Sequence, residues 1–194
     1  MQTDIESGSY KPMVGLGLSP HRESDGSKPT PLANGTVVVP VNALNIIWGN
    51  DQRFWKLIRL SEEDRKSTGF TEGMQLVQVN WIEVTGKLPK STFRGASACQ
   101  FEIYYIVKFQ SDAFGWHSIP IKFKVKDNGS ETVKKVMFEP YRDKNQAWQE
   151  IPGGVFKISS DWNGVVEFGM LEVESNWWKG GIVLGGVKIK PKAG

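Results

Sequence analysis

Residues 101–109 read FEIYYIVKF, and this stretch decides the fold class. Every second residue is apolar or aromatic, and Glu102 and Lys108 stand among the intervening positions. The apolar face consists of Phe101, Ile103, Tyr105, Val107 and Phe109. Alternation of this kind is typical of a strand buried on one face of an antiparallel sheet. The stretch therefore predicts a domain built mainly from β-strands.

Three other segments, residues 77–81, 119–126 and 187–190, alternate with the same period of two. Residues 182–184 are apolar throughout, which predicts a strand covered on both faces. Helical signal is limited to residues 61–66, a single surface turn with Ser61 as its N-cap. Short strands separated by turn residues predict an all-β, jelly-roll-like β-sandwich of antiparallel sheets with little helix.

The composition changes near residue 36. Residues 1–36 are rich in Gly, Ser, Pro and charge, which predicts a flexible N-terminal arm. Residues 37–194 carry the short apolar runs and are long enough for one domain with its own core. The lone Cys99 excludes an intrachain disulfide and fits a reducing compartment. The opening residues do not read as a secretory signal, and no apolar run is long enough to predict a membrane span.

Catalytic and metal-binding patterns are scarce in this sequence. The two histidines, His21 and His117, have no metal-binding partner at a recognisable spacing. No nucleophile elbow, Walker loop or HExxH motif occurs. Glu167 and Glu172 are a weak candidate for paired carboxylates, because surface acids are common in any fold. The sequence therefore predicts a protein that is not an enzyme and that uses no cofactor and no metal.

Tryptophan flanked by polar residues points instead to binding. Trp48 and Trp55 lie within a stretch rich in Gly, Asn and Asp, and the pair Trp177 and Trp178 precedes Lys179. A flat ring stacks on the apolar face of a sugar, while amides and carboxylates bond its hydroxyls. The alternative is that a tryptophan belongs to the core, as we expect for Trp81, Trp148 and Trp162.

The lysines of the alternating strands have two interpretations. They are Lys122, Lys124, Lys126, Lys188 and Lys190. The simpler one is a solvated strand face that discourages edge pairing. The other is a patch that contacts phosphate, although a formal net charge of +3 does not by itself indicate nucleic acid.

Four stretches, taken together and in order, resemble the phloem protein 2, or Nictaba-like, lectin family. They are residues 44–56, 77–86, 148–156 and 178–192. The first contains LNIIWGND followed by RFWK, and the last reads WKGGIVLGGVKIKPK. The resemblance covers about residues 42–192 and implies a non-catalytic β-sandwich lectin domain over residues 37–194.

The resemblance also implies ligands and a setting. Members of the family bind N-acetylglucosamine oligomers (chitin oligosaccharides) and the cores of N-glycans, and dimers are usual. They are plant proteins of the cytoplasm and nucleus, and phloem members travel in sieve-tube sap. We expect a cytoplasmic homodimer without a membrane span. Some phloem members bind RNA, so an RNA-binding transport protein using basic strand faces is the alternative function.

The resemblance places the family's two sugar-stacking tryptophans on Trp48 and Trp55. It places the family's acidic residues on Glu167 and Glu172. Three further candidates flank these positions and complete the predicted carbohydrate-binding set: Asn50, Asp51 and Lys179. Residues 60–73 depart from shorter members as an insertion directly after Trp55, which we expect to cover or reshape the site.

Overall fold

Two antiparallel sheets are formed by residues 19–159 and 163–193, the parts of the chain that the computed structural model describes. The larger sheet contains β1 (Thr30–Pro31), β2 (Val37–Pro40), β4 (Trp55–Arg59), β5 (Glu72–Leu76), β7 (Gln100–Phe114), β10 (Trp148–Lys157) and β12 (Gly180–Pro191). The smaller sheet contains β3 (Asn45–Ile46), β6 (Ile82–Pro89), β8 (Ile121–Asp127), β9 (Ser130–Val136) and β11 (Val165–Glu172). Two short α-helices, α1 (Glu62–Thr68) and α2 (Glu139–Arg142), and 3-10 turns at Val41–Ala43 and Lys90–Phe93 connect them.

The C-terminal strand β12 is the centre of the larger sheet. It pairs with β7 along one side, while β2 and β5 share its other side. The smaller sheet runs in the order β3-β6-β11-β8-β9, and every strand pair in both sheets is antiparallel. The predicted all-β sandwich with little helix is therefore confirmed.

The core lies between the two sheets and uses the faces that the alternation predicts. The five apolar positions of β7, from Phe101 to Phe109, are each at most 1% exposed. The Tyr105 ring contacts Phe123 of the smaller sheet, with ring centroids 4.7 Å apart. Burial raises the pKa of Tyr105 above its ordinary value. Residues 182–184 are buried on both faces, as predicted.

The strand predicted over residues 77–81 is wrong. β5 ends at Leu76 in the larger sheet and β6 begins at Ile82 in the smaller one, so this segment crosses between the sheets. Val79 is buried, but Trp81 is 42% exposed, and its Nε1 donates to Glu83 at 3.0 Å. The expected core role of Trp81 is therefore also wrong, because the regular alternation of faces is lost where the chain leaves one sheet.

Residues 60–73, the predicted insertion, form α1 and cover the outer face of the larger sheet. Ser61 is its N-cap, as predicted, and Gly69 ends it with a φ of 82°. Leu60 and Phe70, which flank the helix, pack with Val183 and Ile106 on that face.

A polar contact fixes α1 against the same face. Asp64 accepts a hydrogen bond from Trp148 Nε1 at 2.7 Å and one from Lys108 Nζ at 3.0 Å. Trp148 is half-buried beneath the insertion and packs against this outer cluster instead of lying in the main core. The expectation that residues 60–73 cover the predicted site is wrong, because their apolar side chains bury the outer face of the larger sheet. That they reshape the site stays a prediction.

Candidate functional site

Two loops that carry tryptophan meet at one end of the sandwich. The 47–54 loop joins β3 to β4, and the 173–179 loop joins β11 to β12. The rings of Phe54 and Trp178 lie nearly parallel, at 28°, with centroids 6.5 Å apart. Val79 exchanges backbone hydrogen bonds with Lys179 at 2.9 Å in both directions, and Val77 N donates to Phe54 O at 2.8 Å. The segment between β5 and β6 therefore ties the two loops together.

Trp48 occupies an uncommon backbone conformation at the tip of the first loop. Gly49 N donates to Ile46 O at 3.0 Å, which closes a turn with Trp48 as its third residue. The φ of Trp48 is 62°, in a region where turns of this geometry favour Gly or Asn. The half-buried indole lies 5.7 Å from the Phe54 ring and 4.8 Å from the His21 ring.

Polar groups of the same loop are engaged in local contacts. Asp51 accepts from Arg53 Nη2 at 2.7 Å and from Arg53 Nε at 3.0 Å, so the pair is bidentate. The hydrogen bonds from the Arg53 side chain hold the pKa of Asp51 below its ordinary value, and burial opposes them. The Arg53 guanidinium also lies over the Phe54 ring, 5.2 Å from its centroid. The loop thus places an aromatic ring, a cation and a carboxylate side by side.

Trp55 lies beneath this loop and is not a surface ring. Its exposure is 1%, and it stands opposite Leu76 in the sheet. Its Nε1 finds no acceptor among the described residues, and its backbone N donates to Asp51 O at 3.0 Å. A sugar cannot stack on a ring in this position, so the predicted platform at Trp55 is corrected to a core residue that supports the loop.

Glu172 and Lys179 form a buried ion pair at the base of the second loop. Their exposures are 4% and 1%, and Lys179 Nζ lies 2.8 Å from Glu172 Oε2. Glu172 also accepts from Ser175 N and Oγ, while Lys179 Nζ donates to Trp177 O at 2.7 Å. Both residues lie beside the loop that carries Trp177 and Trp178, and their polar atoms are occupied in fixing that loop.

Glu167 lies apart from the other predicted residues. It is five positions from Glu172 on β11, a distance of about 17 Å along a strand. Its side chain is on the outer face of the smaller sheet, where Lys87 Nζ lies 3.3 Å from its carboxylate. The structure therefore brings Trp48, Asn50 and Asp51 together and leaves Glu167 out of this group.

Sequence reasoning missed four of the rings that define the site. Trp178, which it noticed without selecting, is 45% exposed, and Trp177 is equally exposed and packs edge-on against His117. Phe54 supports Trp178, and His21 contacts Trp48. The Trp177-Trp178 pair was a usable signal in the sequence, whereas His21 and Phe54 had none of their own. Trp162 lies outside the described residues.

Within the described part of the chain, groups of metal-ligating side chains and membrane-crossing helices are both missing. No three His, Cys, Asp or Glu side chains among these residues gather closely enough to hold a metal ion. No helix in the same residues combines the length and apolarity that crossing a bilayer requires.

A β-sandwich with an aromatic surface built on two loops is the class of protein that these features define. Residues 34–191 match the family model for phloem protein 2. The chain therefore belongs to the phloem protein 2 family, and the resemblance seen in its motifs is confirmed.

Curated relatives come from Arabidopsis thaliana. The chain is 36% identical over 123 residues to Protein PHLOEM PROTEIN 2-LIKE A2, a match that covers 63% of this chain and 61% of that protein. It is 27% identical over 154 residues to the putative F-box protein PP2-B12, covering 77% and 58%. It is 28% identical over 150 residues to Protein PHLOEM PROTEIN 2-LIKE A1, also covering 77% and 58%. The chain thus spans about three fifths of the length of these relatives.

Proposed function

We propose that this protein binds N-acetylglucosamine oligomers and N-glycan cores without catalysing a reaction on them. The observation that carries the proposal is the exposed Trp178 ring, supported by Phe54 and adjoining the 47–54 loop. The ligand class comes from the family resemblance. The Trp178 platform comes from the geometry of the two loops.

Trp178 has the properties that sugar stacking needs. Near-parallel packing against Phe54 fixes the plane of the indole, while 45% of the residue stays exposed. A ring ordered before binding loses little conformational entropy when a ligand arrives. The flat apolar face of the indole can then cover the hydrophobic face of a pyranose ring. Lysine and glutamate side chains have no such flat apolar face.

Directional contacts come from the first loop. Asp51 and Arg53 lie beside Phe54 and offer a carboxylate and a guanidinium to sugar hydroxyl or acetamido groups. Trp48 borders them as a half-buried ring. The Asn50 amide acts on the turn itself, because its Nδ2 donates to Ser19 O and His21 O. Glu172 and Lys179 act by holding the 173–179 loop, and Trp55 acts by supporting the 47–54 loop.

Titration of the protein with chitotriose, followed by tryptophan fluorescence and calorimetry, tests the proposal. We expect saturable binding in the micromolar to millimolar range, about 4 to 8 kcal/mol per site, that changes little with salt. Trp178→Ala should weaken binding roughly five- to 150-fold, because stacking on one large ring is worth on the order of 1 to 3 kcal/mol. The far-UV spectrum should stay unchanged.

Trp148→Phe is the matched control, because it removes an indole on the outer face of the larger sheet, away from the two loops. It should leave chitotriose binding intact. Absence of binding by the unmodified protein at millimolar chitotriose would overturn the proposal. Equal binding by the Trp178→Ala and Trp148→Phe variants would show that Trp178 is not part of the binding site.

RNA binding is the alternative function that the lysine-rich face supports. Lys122, Lys124 and Lys126 follow one another along the outer face of β8. Two of them are partly neutralised, since Lys122 pairs with Glu174 and Lys124 Nζ lies 3.8 Å from Glu131. Binding to RNA through this face would fall steeply with salt, which separates it from sugar binding in the same titration.

The family resemblance supports a proposal for the setting of this activity. A homodimer would bring two sites to one branched glycan and raise avidity without new contacts. We place the protein in plant cytoplasm or phloem sap, with the nucleus as a second location. Light scattering at the concentrations used for titration tests the dimer directly.

A further inference from the structure

Residues 19–22 lie against the 47–54 loop, although they precede the region that the family model matches. Arg22 and Ile46 exchange backbone hydrogen bonds at 2.9 and 2.8 Å, which adds an isolated antiparallel bridge beside β3. The Arg22 side chain donates to Asn42 Oδ1. We call residues 19–22 the N-terminal clamp. Its position beside β3 brings it directly under the turn that carries Trp48.

Asn50 is bonded to this clamp from both its backbone and its side chain. Asn50 N donates to Pro20 O at 3.0 Å. Its Nδ2 donates to Ser19 O and His21 O, each at 3.0 Å. One side of the turn is therefore fixed by three bonds to the clamp, and Asn50 has its amide group committed there.

His21, also a residue of the clamp, contacts Trp48 through both a hydrogen bond and its ring. Trp48 N donates to His21 Nδ1 at 3.0 Å, and the His21 ring packs edge-on against the indole at 64°. Because Nδ1 accepts this bond, the neutral imidazole carries its proton on Nε2. A backbone with positive φ at a bulky residue persists only where its surroundings enforce it.

The clamp approaches the turn too closely for a side chain at position 49. A Cβ on Gly49 would lie 2.6 Å from Arg22 Cβ and 2.9 Å from Ile46 Cβ and O. Glycine at this position is therefore what lets the clamp seat against the turn.

We propose that the N-terminal clamp is part of the binding site and that His21 is a positioning residue for Trp48. His21 sets the conformation of Trp48 by accepting its backbone N–H. The predicted effect of His21 on sugar affinity rests on the proposed function. Its predicted effect on the conformation of the turn does not. Residues 34–191, the matched region, then make an incomplete site without the clamp.

Two substitutions in the full chain separate the acceptor from the ring. His21→Phe keeps an aromatic edge beside Trp48 but removes the acceptor, whereas His21→Asn keeps an acceptor near the position of Nδ1 and removes the ring. We expect chitotriose binding by His21→Phe to weaken roughly three- to tenfold, the usual range for one lost hydrogen bond. His21→Asn should bind within about twofold of the unmodified protein.

The second readout is hydrogen exchange at the Trp48 amide, which needs no ligand. His21→Phe should speed exchange at this one amide, while exchange in β7 and β12 stays unchanged. Ser24→Ala, which alters the chain just after the clamp, should change neither affinity nor exchange. A merely structural contribution from His21 would instead lower protection throughout the smaller sheet.

The outcomes divide the two proposals. If the unmodified protein does not bind chitotriose, the proposed function fails and the Trp48 amide alone decides the inference. If sugar binds and His21→Phe matches the unmodified protein in both readouts, the clamp is not a positioning element. A folded His21→Asn protein that behaves like His21→Phe would equally overturn the role assigned to the acceptor.

Discussion

The 47–54 loop and the 173–179 loop present aromatic rings to the same surface but are held in different ways. The first is bonded by neutral groups to a segment that lies outside the matched family region. The second is closed on itself by the Glu172–Lys179 ion pair, with both charges at most 4% exposed. Both loops are also bonded to the segment between β5 and β6, but only the first is bonded to the N-terminal clamp, and only the second has a buried ion pair across its two ends.

The two kinds of anchor differ in what their loss should cost. Removing a neutral hydrogen bond at a half-exposed turn changes local order and leaves the core intact. Removing one member of a buried ion pair leaves an uncompensated charge inside the protein. We therefore expect the 173–179 loop to be rigid and coupled to global stability, and the 47–54 loop to be adjustable. The adjustable loop carries Trp48, and the rigid one carries Trp178.

Breaking the ion pair should give the largest effect. Lys179→Met leaves the Glu172 carboxylate buried without its cation, which costs about 3 to 5 kcal/mol of unfolding free energy. Chemical denaturation, followed by near-UV circular dichroism of the tryptophans, measures this cost. Glu172→Gln combined with Lys179→Met should recover part of the loss, because no charge is then left buried.

The control for this change is an exposed ion pair whose glutamate, Glu167, lies on β11 like Glu172. Lys87→Met removes the partner of Glu167, whose side chain is 45% exposed, and should cost less than about 1 kcal/mol. If Lys179→Met costs no more than Lys87→Met, the 173–179 loop is not held by its ion pair and the contrast between the loops disappears.

Crowding the contact between the clamp and the turn should have an intermediate effect. Gly49→Ala would force the new Cβ against Arg22 and Ile46, and overpacking of this kind costs about 1 to 3 kcal/mol. We expect the loss to appear as weaker chitotriose binding and faster exchange at Trp48, with the 173–179 loop unaffected.

Gly169→Ala is the matched control for Gly49→Ala. Its Cβ would come no closer than 3.2 Å to any atom, and the two nearest atoms are ends of the Leu171 and Thr85 side chains. It should cost less and leave sugar affinity unchanged. Equal loss of affinity in the two alanine variants would show that Gly49→Ala acts by lowering overall stability and not by displacing the clamp from the turn.

Strands were predictable where burial repeats locally, and the same reasoning failed where the chain changes sheets. The β7 stretch alternates because one face lies on the core for its whole length, so the pattern contains the answer. Residues 77–81 alternate as well, yet they cross from the larger sheet to the smaller one and expose Trp81. Periodicity describes the pattern of side chains and not the sheet to which a segment belongs.

The site was predictable as a neighbourhood but not ring by ring. Trp55 and Trp178 have similar polar flanks, but Trp55 stands opposite Leu76 in the sheet and is buried. Only the pairing of distant strands decides which indole is covered. His21 gave no signal at all, because its partner Trp48 lies 27 residues away and its neighbours in sequence suggested a flexible arm. Residues 1–18 of that arm lie outside the described residues, and the boundary at residue 36 stays a prediction.

Replacing Asp51 in the 47–54 loop should have the smallest effect. The hydrogen bonds from Arg53 hold the pKa of Asp51 below its ordinary value. A carboxylate whose pKa is lowered by folding contributes stability above its unfolded value, about 3.9 for Asp, and loses that contribution as pH falls through its folded pKa. Asp51→Asn should therefore differ from the unmodified protein at neutral pH and converge with it in acid.

Thermal unfolding of both proteins between neutral pH and pH of about 2 measures this convergence. A difference in stability between the two proteins that stays constant over the whole pH range would show that the Asp51 charge does not contribute to stability through Arg53. If the stabilities converge in acid but Asp51→Asn binds chitotriose normally at neutral pH, Asp51 supports the loop and does not contact the sugar. A loss of affinity at neutral pH, where both proteins are folded, would instead place the Asp51 carboxylate on the sugar, beside the ring that Phe54 supports.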